Sequence, residues 1–213
     1  MKIAAVSDMH GNLDPVHEIL KKEIPDLLLC AGDWGTSEEI FQNDFDAIVQ
    51  KVTTITVFGN HDNIELLYQI KNQDGTAILI DNGATKDYDN LVIGGINGIW
   101  AKSHKKAWYI TDEEVAAAAA KLLEKKVDIL MTHGCPLGIA DLTPIGTRGG
   151  QRCFTEAFKL VNPKLYICGH LHHKSSCQTK DGELVVNIGF TKEGDYAVFN
   201  FENESFEFES KVI

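Results

Sequence analysis

Arginine is almost missing from this sequence: among 213 residues only Arg148 and Arg152 carry a guanidinium, four positions apart. Lysines bring the basic side chains to 20 against 31 acidic ones, a formal net charge of −11. A surface that tracks nucleic acid needs clustered Lys and Arg to replace phosphate counterions, so extended nucleic acid is not an expected partner. A small phosphorylated ligand remains compatible if its site brings its own positive charge. No apolar run approaches the roughly 20 residues that cross a bilayer. The start, Met1-Lys2-Ile3-Ala4-Ala5-Val6, turns polar too early for a secretory apolar segment. No membrane association and a cytoplasmic location are the resulting expectations. Cysteine is scarce and scattered. Cys30, Cys135, Cys153, Cys168 and Cys177 are odd in number and form no Cys-x-x-Cys pair. That pattern argues against a disulfide framework or a cysteine zinc site, and for buried reduced thiols.

What is present is an ordinary globular composition, 44% hydrophobic and 24% charged, long enough for one domain over residues 1–213 with a substantial core. Lys2 to Val6 reads as a first strand, followed by a helix from the Asp14-Pro15 start, with Asp14 as its cap, to about Lys22. Asp26 to Ala31 is a second apolar strand. Thr36-Ser37-Glu38-Glu39 has capping-box spacing and predicts a helix to about Val52. A third strand ends at Phe58, and Asp62 is placed to cap a helix through Gln69. This β-α alternation predicts an α/β fold with a mostly parallel sheet. Thr111 to Glu114 opens an alanine-rich helix to about Lys126, and residues 151–161 form another helix. From His173 onward the pattern is that of antiparallel strands, with a hairpin turn at Asp181-Gly182.

Polar groups recur where apolar runs stop. Asp8-Met9-His10, Gly32-Asp33, Gly59-Asn60-His61-Asp62, Thr132-His133-Gly134 and Gly169-His170-Leu171-His172 each follow a short apolar run. Any one of these residues has an everyday role as a cap, a turn partner or a solvated histidine. Together they place five of the eight histidines at strand ends, where open α/β sheets bind ligands; His17, His104 and His173 lie elsewhere. Mixed nitrogen and oxygen donors without thiolate suit Mn, Fe, Zn, Co or Ni.

At these residues the chain resembles the calcineurin-like metallophosphoesterase superfamily, whose signature D-x-H, G-D, G-N-H-D/E, H and G-H-x-H stands complete and in order from residue 8 to 172. The resemblance implies a four-layer α/β/β/α sandwich of two mixed sheets flanked by helices. It implies two divalent transition metals, manganese foremost, with Fe, Zn, Ni or Co as alternatives. Asp8, His10, Asp33 and His172 would bind one metal, and Asp33, Asn60, His133 and His170 the other, Asp33 bridging. His61 would be the catalytic histidine that is not a ligand, and a bridging hydroxide would attack a small phosphodiester or phosphomonoester in line.

Departures from better-known branches narrow the substrate. The protein serine/threonine phosphatases of this superfamily carry G-D-x-V-D-R-G, whereas this chain reads Gly32-Asp33-Trp34-Gly35-Thr36-Ser37, which disfavours phosphoproteins. His133-Gly134-Cys135-Pro136-Leu137-Gly138, with Asp141 downstream, resembles the loop of small phosphodiesterase-type members. Cys135 stands there as a packing residue. Residues 134–150 form a long loop without periodicity, a length usually tied to function. Arg148 and Arg152 border it and are candidate phosphate contacts, since guanidinium groups suit bidentate phosphate binding. Asn12 is a third candidate substrate contact. The basic stretch Lys102, His104, Lys105 and Lys106 reads as solvated loop charge. A binding scaffold that has lost catalysis and a nuclease are the alternatives. Retention of His61 speaks against the first, and the acidic balance against the second.

Overall fold

The computed structural model describes residues 1–213. Two sheets form its centre. The first has strand order β13-β12-β1-β2-β3, drawn from Ser205–Val212, Asp195–Glu202, Lys2–Val6, Leu27–Cys30 and Thr53–Thr56. The second has order β10-β11-β9-β8-β5-β4, drawn from Ser175–Gln178, Leu184–Asn187, Leu165–Cys168, Ile129–Thr132, Leu91–Ile96 and Thr85–Tyr88. Two short strands, β6 (Ile99–Trp100) and β7 (Tyr109–Ile110), pair in parallel apart from both. The helices are α1 (Asp14–Glu23), α2 (Gln42–Val49), α3 (Ile64–Leu67), α4 (Asp112–Leu122) and α5 (Arg152–Val161).

The layers follow from the two-residue period of a strand. Ile3, Ala5, Leu27, Leu29 and Ile55 of the first sheet meet Ile93, Ile129, Met131, Leu165 and Ile167 of the second in one buried cluster. Their neighbours Ala4, Val6, Leu28 and Cys30 point the other way, under Val16, Ile19 and Leu20 of α1 and Phe45 and Ile48 of α2. Leu130, Tyr166 and Cys168 likewise face Val115, Ala118 and Leu122 of α4 and Phe154 and Phe158 of α5. Both faces of the central strands are buried, so they read as continuous apolar runs rather than alternating ones. The result is the helix-sheet-sheet-helix sandwich that the resemblance implied.

Both sheets are mixed. β1, β2 and β3 run parallel, as do β5, β8, β9 and β11, while β12 adds antiparallel to β1, β13 antiparallel to β12, and β4 and β10 antiparallel at the two edges of the second sheet. The C-terminal stretch thus divides: β10 and β11 join the second sheet, and β12 returns to the first.

Three helix starts differ from the sequence reading. Leu13 is the cap residue of α1, and Asp14 is its first helical residue. Thr36 to Glu39 close a turn of their own, Glu39 accepting the Thr36 N–H at 2.9 Å, and α2 begins only at Gln42. Asn63 caps α3 by accepting the Leu66 N–H, which leaves Asp62 free for another task. The Thr111–Glu114 capping box is present as expected.

Candidate metal centre

Because β1, β2 and β3 run parallel in one sheet, and β8 and β9 in the other, all five polar blocks emerge at strand carboxyl ends. Three groups of side chains have mutual ligand-atom distances within 4.8 Å: Asp8, His10 and His172; His10, Asp33 and His61; Asp33, His133 and His170. Asp33 and His10 connect them. Asp33 Oδ2 lies 3.7 Å from His10 Nε2 and 3.3 Å from His133 Nε2. Asp8 Oδ1 is 3.3 Å from His172 Nε2, which is 3.1 Å from His10 Nε2.

The backbone is bent hard to achieve this. Asp8, His10, Asp33, His170 and His172 all have positive φ, between 44° and 69°. Each left-handed non-glycine residue costs on the order of 1–3 kcal/mol, and such strain persists only where the surroundings dictate it. The ends of β3 and β9 are tighter still. A Cβ on Gly59 would collide with Asp33 Oδ1 and the His133 ring, and one on Gly169 with the Ser7 hydroxyl.

Asp8, Asp33 and His133 are each held through one side-chain atom and turn the other toward the centre. Asp8 Oδ2 accepts the Ser7 hydroxyl at 2.5 Å and the His170 N–H at 2.9 Å, while its Oδ1 has no partner. Asp33 Oδ1 accepts the His61 N–H at 2.7 Å, turning Oδ2 toward the histidines. His133 donates Nδ1–H to the Ala31 carbonyl at 2.7 Å, and its Nε2 is buried without a hydrogen bond. The Asn60 amide oxygen is also buried and unpartnered. Buried polar atoms left unsatisfied cost about 1–3 kcal/mol each. Three of them beside two carboxylates and four imidazoles form a donor set that fits divalent cations and needs no thiolate.

The electrostatics are those of tightly opposed charges. Burial disfavours a charged His133, yet the Asp33 carboxylate raises it to about 10. Burial would raise Asp33, but His133 and the His61 N–H hold it well below the usual carboxylate range. Burial, then His133, drives His170 down to about 4. Burial and the neighbouring Asp33 push Asp62 up to about 7, opposed by backbone N–H donors.

Residues 1–203 match the family model of the calcineurin-like phosphoesterase superfamily domain. The chain belongs to that superfamily. It is a superfamily of hydrolases. Similarity to curated superfamily relatives is low but extended. The chain is 25% identical over 242 residues to a lariat debranching enzyme of Arabidopsis thaliana, covering 85% of this chain and 57% of that enzyme. It is 25% identical over 196 residues to the uncharacterized protein MJ1162 of Methanocaldococcus jannaschii, covering 87% and 86% of the two chains. This chain therefore spans little more than half of the Arabidopsis relative. In three dimensions it is similar to the crystal structure of TT1561 of Thermus thermophilus, with a TM-score of 0.75, 15% identity and 98% of each chain covered. No helix is long and apolar enough to cross a membrane.

The remaining candidates are placed differently. His61 is exposed at the mouth, its ring 4.8 Å from that of His10. Asn12 donates from Nδ2 to the Lys192 carbonyl at 3.4 Å. Arg148 is ion-paired with buried Asp141, and Arg152 is exposed in the first turn of α5 without an ion pair. Cys135 is buried; its thiol donates to the Gly169 carbonyl and accepts from Asn187 Nδ2, which joins the His133 and His170 loops.

Sequence reasoning missed the loop after β11. Phe190 stacks on the His172 ring at 4.2 Å and 9°, and meets His10 edge-on at 5.8 Å. Thr191 accepts the Ser7 N–H, and the Lys192 N–H reaches the Asp8 carbonyl. The signal was partial: Leu184 to Ile188 is a mostly apolar run followed by a glycine, as are the runs before Asp33, Asn60 and His170, but Phe190 and Thr191 after it are not titratable.

Proposed function

We propose that this chain, acting as one domain over residues 1–213, is a dinuclear metal-dependent phosphoesterase of small phosphorylated molecules, diesters ahead of monoesters. The observation that carries this reading is the set of open buried atoms, Asp8 Oδ1, Asn60 Oδ1 and His133 Nε2, around Asp33. Asp8, His10 and His172 with Asp33 would hold one cation, and Asn60, His133 and His170 with Asp33 the other. Manganese heads the candidates, with Fe, Zn, Ni or Co behind it. Two such cations, when bound, supply charge for the phosphoryl oxygens and acidify water toward a pKa of about 7.

The chain's own residues do the rest. Asp33 is shared, because its Oδ2 faces histidines of both groups. His61, although its ring also comes within 4.8 Å of ligand atoms of His10 and Asp33, is assigned to no cation; it is exposed, where its imidazole N–H can donate to the leaving oxygen. Its backbone N–H on Asp33 Oδ1 ties the position of the acid to that of the shared carboxylate. Asn12, Arg148 and Arg152 are assigned to the substrate side; Asp141 takes one guanidinium nitrogen of Arg148, which leaves it other N–H donors. The free thiols, four of the five buried, suit a reducing compartment such as the cytoplasm.

The test compares bis-p-nitrophenyl phosphate with p-nitrophenyl phosphate across Mn, Ni, Zn and Mg, in wild type and His61→Ala, with metal content measured in both. The expected variant keeps two metals per chain and loses about 10²–10⁴-fold in turnover. Unchanged turnover removes His61 from the mechanism. No hydrolysis of either ester by metal-replete protein removes the reading itself.

A further inference from the structure

A cavity of about 220 Å³ has Phe58 and Asn97, residues just past the ends of β3 and β5, in its wall. It lies at the end of β5, the strand paired in parallel with β8, from whose end His133 projects. Phe58 forms part of its wall, two residues before Asn60, so the two Cα atoms are within about 7 Å. The segment after β5 is pinned there: Gly98 donates its N–H to the Phe58 carbonyl at 2.8 Å, and Phe58 donates to Asn97 Oδ1 at 2.8 Å.

One side of the cavity is a face of α4. Glu114, Ala117, Ala118 and Lys121 line it at i, i+3, i+4 and i+7, so two methyl groups leave space between two charged ends. Aromatic Phe58, Trp108 and Tyr109 line other parts of it. The basic loop is exposed, as solvated charge is; within it His104, paired with Glu114 at 3.0 Å, lines the cavity, and Lys106 sits 5.0 Å from the Trp108 ring centroid. The polar lining is directed as well. Asn97 donates its backbone N–H at 2.6 Å and its side-chain amide at 3.2 Å to Asn82 Oδ1. That uses the Asn82 oxygen and leaves its NH₂ group without a protein acceptor.

We propose that this cavity is the subsite for an aromatic ring esterified to the phosphate, with ring and methyl walls for its faces and the Asn82 amide for an acceptor on its edge. Its volume is below the roughly 300–1,000 Å³ of drug-sized sites, which suits one ring system and excludes a folded peptide. The assignment rests on the phosphoesterase reading above and names the substrate class of that site.

The test is binding, free of turnover. Benzylphosphonate, in which CH₂ replaces the ester oxygen of an aryl phosphate, and methylphosphonate are titrated calorimetrically into metal-replete protein. Aromatic stacking of about 1–3 kcal/mol corresponds to at least about 5–10-fold tighter binding of the benzyl compound. Ala117→Leu fills the cavity from an exposed helical position that leucine tolerates. It should erase the preference, as should Trp108→Ala. Trp108 also packs against the core beneath α1 and α2, so the leucine variant decides if Trp108→Ala fails to fold. Equal binding of the two phosphonates to wild type, or a preference that survives Ala117→Leu, overturns the subsite alone. Binding of neither overturns the phosphate site and the subsite with it.

Discussion

Asp62 Oδ2 accepts the backbone N–H of Asp33 at 2.8 Å, a carboxylate holding the backbone of the residue that links the two groups of candidate ligands. The same oxygen takes the Gly59 N–H at 2.7 Å, and Oδ1 takes that of Trp34 at 2.7 Å. One side chain thus locks the end of β2 to the end of β3. Asp62→Asn keeps the shape but turns an NH₂ donor toward an N–H donor. The unmatched donor costs about 1–3 kcal/mol, which for a chain of this size lowers Tm by several degrees. Misplacing Asp33 weakens metal binding by about 10–100-fold, the usual scale for groups that orient ligands. Thermal unfolding with and without manganese measures both. A variant with wild-type metal affinity would show that the Asp33 loop holds itself.

Phe190 offers a narrower test. It covers the face of His172 and the edge of His10, both assigned to one cation, and touches neither His133 nor His170 in this way. Aromatic pairs of this kind are worth about 0.5–1.5 kcal/mol. Phe190→Ala should therefore weaken one of two binding steps by up to about 10-fold and leave the other near wild type. Manganese titration followed by calorimetry resolves the two steps. Equal weakening of both would make Phe190 a general packing residue.

Much of this site was legible in the sequence because its parts are strand ends. An apolar run that stops at Gly59-Asn60 or Gly169-His170 announces both the strand and the polar group at its end, and the common rim follows from parallel order. Asp62 was misread for a physical reason. An aspartate ahead of a helix start has a ready local partner, and only the folded chain reveals backbone N–H groups 29 and 28 residues away competing for it. The α2 start was misplaced similarly, since Thr36–Glu39 satisfies its capping bonds within one turn and never propagates. The apolar run before Gly189 announces a strand end, but the stacking of Phe190 on His172 and the cavity beside α4 are products of tertiary packing that no local pattern encodes.

The glycines at the site have a sharper consequence than conformational freedom. Gly59 has no room for a methyl group, because the added carbon would overlap Asp33 Oδ1 and the His133 ring together. Gly59→Ala must displace the shared carboxylate, its histidine neighbour or the strand end. Metal affinity should fall by more than about 100-fold, beyond the range for an indirect orienting group. Circular dichroism and metal content after dialysis separate this from unfolding. A folded Gly59→Ala protein with two bound metals would mean that the loop moves aside at little cost.

Far from the site, Glu23 fastens the end of α1 to the first sheet. Its Oε1 accepts the Tyr196 hydroxyl at 2.8 Å and the Lys211 ammonium at 3.1 Å, and Oε2 lies 3.6 Å from Lys2 Nζ. Burial alone would raise its pKa, but these donors hold it below the ordinary value. A depressed carboxyl stabilises the fold fully above the unfolded-state pKa of about 4.3 and loses that contribution as pH falls through the folded value. Glu23→Gln removes the charge at every pH. Hydrogen bonds to charged groups contribute about 1.5–3 kcal/mol, so the variant should be less stable by up to that amount at pH 7. The gap should close progressively below about pH 4, where wild-type Glu23 also becomes neutral. Urea unfolding of both proteins from pH 3 to pH 8 measures it. A gap that stays constant across that range would assign the loss to shape and packing rather than to the carboxylate's charge.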